Sequence, residues 1–83
     1  MEKKLIKSES IWIGNINYEI TFFQITKSPD QIYYSSEVTF GSFDTIIIDD
    51  EDLVQLENKT RLILPVAHRS RMVATMEAHR GAR

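Results

Sequence analysis

The 83-residue chain has no cysteine, which excludes a catalytic thiol, an iron–sulfur cluster, a cysteine-ligated zinc and any disulfide. A domain of this length buries only about 60% of the surface that its unfolded chain exposes. Cohesion must therefore come from a modest apolar core, or from a second copy of the chain. Glycine is scarce as well: Gly14, Gly41 and Gly81 lie too far apart to form a phosphate-cradling loop. Long apolar runs are missing. The longest, residues 62–67, contains Pro65 and falls far short of the roughly 20 residues that span a bilayer. Near the N-terminus Lys3, Lys4 and Lys7 flank only Leu5 and Ile6 before Ser8, Glu9 and Ser10. No signal-peptide core forms there, so no membrane association and a cytoplasmic location are expected.

Catalytic constellations are equally thin. No serine sits in a glycine-flanked elbow, and His68 and His79 are eleven residues apart, roughly three helical turns, so one helix cannot bring both to a metal. The expectation is a protein that is not an enzyme, with no catalytic residue, metal or cofactor.

What is present is a charge asymmetry. Residues 1–57 carry 4 lysines against 11 acidic residues, whereas residues 58–83 carry 6 basic residues against Glu77 alone. Such polarity can steer an acidic partner to the C-terminal segment or draw two copies together.

The first half alternates with period two, the pattern of half-buried strands. Ile11, Ile13, Ile16, Tyr18, Ile20 and Phe22 share one face if Gly14 and Asn15 form a two-residue type II′ turn. That register sets Ile13 opposite Ile16, Ile11 opposite Tyr18 and Glu9 opposite Ile20. The apolar phase changes at Phe22 and Phe23, which predicts a bulge in the second strand and a curved sheet. Residues 28–31, with Pro29 and Asp30, make the next turn. A third strand places Ile32, Tyr34, Val38 and Phe40 on one face, Gly41 and Ser42 repeat the glycine-first turn, and residues 43–48 form a fourth strand. Ile46, Ile47 and Ile48 are consecutive. Three β-branched residues in a row leave no solvent face, so this strand needs cover from the C-terminal helix or from another copy.

Asp49, Asp50, Glu51 and Asp52 precede Leu53, Val54 and Leu56, which reads as a helix start with an aspartate cap and acidic groups in the first turn. Oxygen ligands at Asp49, Asp50 and Asp52 would suit magnesium or calcium, but the spacing of a calcium-binding loop is missing. The string at residues 46–54 also resembles the first strand and acidic pocket of response-regulator receiver domains, although the chain after Val54 is too short to complete that fold. Pro65 should kink or end the helix, at a cost of about 3 kcal/mol in an interior position. The expected fold is thus α+β within one small domain at residues 1–83: a curved four-stranded antiparallel meander over 3–49, then a helical segment over 50–80, kinked or broken at Pro65. A small all-β barrel with a hairpin at 53–64 is the alternative.

Two functional readings follow. In the first the protein is a non-enzymatic interaction module, a homodimer or the partner of another protein. Trp12 and Tyr33, which fall on the opposite phase from the apolar face, together with Ile46 and Ile48, are its candidate contact residues. In the second, a small regulatory protein binds nucleic acid through Lys59, Arg61, Arg69, Arg71, Arg80 and Arg83. An isoelectric point near 5.6 favours the first.

Overall fold

The computed structural model describes the backbone of residues 1–81 and the side chains of residues 1–74. Strands β1 (Glu2–Ile13), β2 (Ile16–Ser28), β3 (Gln31–Gly41) and β4 (Asp44–Asp50) form an antiparallel sheet in the order β1-β2-β3-β4, and helix α1 (Leu53–Gly81) follows. The sheet is open, so the architecture is α+β with no barrel, and residues 53–64 are helical. Among the described residues no helix is long and apolar enough to cross a membrane.

The first hairpin has the register that its sequence dictates. Ile13 pairs with Ile16, Ile11 with Tyr18 and Glu9 with Ile20, and Gly14 takes a positive φ of 59°, as the first position of a type II′ turn requires. The second glycine-first expectation fails. Gly41 is the last residue of β3 and pairs with Asp44, so the turn is made by Ser42 and Phe43, and none of these three residues has a positive φ. A register shift between Thr39 and Gly41 gives the strands the extra twist that a primed turn would otherwise supply. The irregularity expected in β2 at Phe22 and Phe23 falls instead on the facing stretch of β1, between Leu5 and Lys7. At that point β2 stays in step with β3, Phe22 opposite Ser36 and Phe23 opposite Ser35.

At the start of α1 Asp52 is the cap: its side chain accepts the backbone N–H of Gln55 at 3.1 Å, and its carbonyl accepts that of Leu56 at 2.9 Å. No acidic residue lies in the first turn itself. Asp50 accepts the backbone N–H of Asp52, so the acidic run closes the turn from β4 into the helix. The helix continues through Pro65. Pro65 is exposed, where water can take over the carbonyl that loses its partner. Burial of Leu56 and Leu64 contributes about 1.5–3 kcal/mol each, enough to offset the proline.

The core lies between α1 and one sheet face. Tyr18, Ile20, Phe22, Val38, Leu56 and Leu64 form its centre, with Ile11, Ile13, Tyr34, Phe40, Ile48 and Leu53 packed around them. In its middle sit two fully buried hydroxyls. Thr60 donates to the Leu56 carbonyl at 2.7 Å, which leaves its oxygen to accept from Ser36 at 2.8 Å. Both are satisfied, and no described buried side-chain polar atom lacks a partner.

Gly14→Val is expected to lower stability by about 1–3 kcal/mol, the cost of a branched residue at positive φ, whereas Gly41→Val should change little because an added Cβ meets open space. Urea unfolding of the two variants compares them directly. Thr60→Val strands the Ser36 hydroxyl and should cost about 1–3 kcal/mol. Pairing it with Ser36→Ala should recover part of that loss, and a double variant no more stable than Thr60→Val would deny the coupling.

Candidate interaction surfaces

One helix divides the molecule into a covered sheet face and an open one. Along β1 and β2 the covered face carries Lys7, Glu9, Ile11, Tyr18, Ile20 and Phe22; along β3 and β4 it carries Ser36, Val38, Ile46 and Ile48, and the intervening residues point the other way. The open face therefore carries Leu5, Trp12, Phe23, Ile25, Tyr33 and Ile47. Cross-strand neighbours shield part of it: Ile25, opposite Tyr33, is buried, and the Lys3 ammonium lies 4.2 Å over the Phe23 ring. Trp12 and Ile47 are 67% and 61% exposed, so they remain available for contacts.

The four contact candidates do not form one patch. Trp12 pairs with Asn17 and Tyr33 with Ile25, positions eight residues apart along β2, or about 26 Å. Tyr33 is half-buried. Ile46 and Ile48 lie on the covered face, half-buried, where with Val38, Thr60, Ile63 and Leu64 they line a narrow, partly open apolar niche between β4 and α1. Sequence reading missed the outer side of α1. Leu62 (76% exposed), Val66 (69%) and Val73 recur at helical spacing on the side away from the sheet; the signal is a second apolar stripe beside the one that faces the sheet.

The basic candidates divide. Arg71 grips Asp44 with two hydrogen bonds, Nε–H at 2.9 Å and a terminal N–H at 2.8 Å, and its guanidinium stacks 4.2 Å over Phe40. Lys59 pairs with Asp50 at 2.8 Å and Arg61 with Glu9 at 3.0 Å. Lys7 bridges Glu9 and Glu57. Arg69 is exposed. The Arg80 side chain and the whole of Arg83 lie outside the described residues. His68 is held at 2.7 Å from the Tyr18 hydroxyl, where it fixes the helix to β2.

The acidic run borders an open concavity with Lys27, Asp30, Ile32 and Tyr33, in which Asp49, Asp50 and Glu51 form one wall. Asp50 is committed to Lys59 and to the Asp52 N–H, and Asp52 to the helix cap. Among the described residues no three acidic or histidine side chains converge as a metal would need. No family model, curated protein or solved structure matches the chain.

The ion pairs make stability depend on pH. Asp44 is held below its ordinary pKa chiefly by the hydrogen bonds from Arg71, Asp50 chiefly by Lys59, and Glu9 chiefly by Lys7, with Arg61 adding to the effect and burial opposing it. Folded carboxyls with lowered pKa protonate later than unfolded ones, so their stabilisation is complete at neutral pH and is lost as the pH falls through the folded values. The melting temperature should therefore hold near neutrality and decline below about pH 4, the ordinary carboxyl range. Arg71→Gln should flatten that decline, and thermal melts across the acid range would contradict the assignment if Tm rose on acidification.

Proposed function

We propose that the protein is a non-enzymatic interaction module that acts through protein contacts and assembles as a homodimer. One observation carries this reading: apolar surface stays uncovered on both sides of β4, with Ile47 on the open sheet face and Leu62 and Val66 on the outer side of α1 each more than 60% exposed. Ile46 and Ile48 are half-buried on the helix-covered face. The ion pairs support it against the nucleic-acid alternative. Lys59, Arg61 and Arg71 hold carboxylates of their own chain, which lowers the charge they can offer to phosphates.

Light scattering at micromolar concentration should give twice the 9.7 kDa chain mass, little changed between low and high salt, because apolar burial is not screened as ionic contacts are. Added DNA or RNA should leave that mass unchanged at physiological salt. A monomer at every concentration would refute the homodimer. A retarded nucleic-acid band that fades steeply with salt, and vanishes when Arg69, Arg80 and Arg83 are replaced by glutamine, would establish the alternative instead.

A further inference from the structure

The sheet has two edges, and they differ. The β1 edge carries Lys3, Lys4 and Lys7 and is interrupted between Leu5 and Lys7, devices that blunt an edge against pairing. The β4 edge carries neither lysine nor proline and keeps an unbroken register with β3 from Thr45 to Asp50. We propose that a second copy of this chain docks on the β4 edge, with the two β4 strands antiparallel about a two-fold axis at Ile47 and the two α1 helices side by side above the seam. This rests on the homodimer reading and assigns its surface.

Three features fit that occupant. The first is side-chain matching: pairing centred on Ile47 sets Ile46 of each copy opposite Ile48 of the other on the helix-covered face. Cross-strand β-branched pairs are favourable there, and the half-buried state of both residues in the single chain leaves area for the contact.

The second is helix spacing. Helix α1 lies closest to β3 and β4. A two-fold at the outer edge of β4 would therefore place the two helix axes two to three strand spacings apart, about 10–14 Å, at or just beyond the 8–10 Å of packed helices. The side of α1 that would meet its counterpart is identified by its contacts: Lys59 reaches Asp50, and Ile63 lines the niche with Ile46 and Ile48. Val66 follows one turn on, at i, i+4, i+7 from Lys59 and Ile63.

Charge is the third. The pairing brings Asp44 opposite Asp50 of the second copy, which would repel if they were bare. Each arrives with its own cation, Arg71 on Asp44 and Lys59 on Asp50. Each end of the seam is then an alternating neutral set of four charges, with each cation beside a carboxylate of the other copy.

Because the chain has no cysteine, an introduced one is the sole thiol. Under mild oxidation Ile47→Cys should form a disulfide-linked dimer. Thr45→Cys and Asp49→Cys should each link poorly alone but link to one another when mixed, since Thr45 of one copy faces Asp49 of the other. Val66→Glu, at a site 69% exposed where folding is not at stake, should weaken dimerisation by tenfold or more, and Trp12→Ala on the far end of the open face should not. A dimer that survives Val66→Glu and shows no Ile47→Cys linkage overturns this seam and leaves the homodimer standing. A monomeric mass for the unmodified chain at high concentration overturns both.

Discussion

The contact on which the rest of the molecule depends is the row Leu56, Thr60 and Leu64 of α1, laid over Phe22, Ser36 and Val38 of the sheet. All six are buried to within 2% of complete. At its centre a polar pair replaces what would ordinarily be two apolar side chains, and the Ser36–Thr60 hydrogen bond ties the helix to β3 at one register. A sliding helix would strand the Ser36 hydroxyl in the core, while Thr60 would keep its bond to the Leu56 carbonyl of its own helix. Apolar packing supplies most of the cohesion, and this pair selects where along the sheet it occurs.

A helix about 10 Å across spans roughly two strand spacings, so one helix cannot cover four strands. Over β1 and β2 the cover is extended by long side chains: Lys7, Glu9, Glu57 and Arg61 form one linked set, and His68 reaches the Tyr18 hydroxyl. Over the outer edge of β4 the corresponding ties, Lys59 to Asp50 and Arg71 to Asp44, sit at the two ends of the strand and leave the three isoleucines between them. Three basic residues of the last part, Lys59, Arg61 and Arg71, are thus paired with carboxylates of the first part. Each exposed pair adds little alone, but their placement decides which flank of the helix is charged and which is apolar.

That placement gives the interaction reading its direction. The open sheet face is irregular, with Ile25 shielded and Trp12 far from Tyr33, whereas the apolar flank of α1 and the isoleucines of β4 adjoin a backbone edge with unmet hydrogen-bonding groups. An edge and an apolar flank that lie side by side can be satisfied together by one partner, and a second copy offers both in complementary order.

Much of the fold was legible because its signals are local. Alternation, the Gly14 turn, the Pro29 turn and the Asp52 cap are each specified within a few residues, and the first hairpin register follows from turn and pattern together. The three consecutive isoleucines announced a strand in need of cover on both faces. Other features depended on sums over distant residues. Whether Pro65 would end the helix depended on how deeply Leu56, Leu64 and Ala67 are buried on either side of it, and the Gly41 turn moved by one residue because the twist could be met by a bulge. Arg61, Lys59 and Arg71 read as a basic surface from composition, since carboxylates more than ten residues away from Arg61 and Arg71 cannot be matched to them by spacing; Glu9 and Arg61 are separated by 52 positions. Periodicity and turn chemistry, which act between neighbours, determined the elements and their order. Only the tertiary structure decided which charges are neutralised and which apolar flank stays open, because those outcomes depend on the position of one helix across the whole sheet.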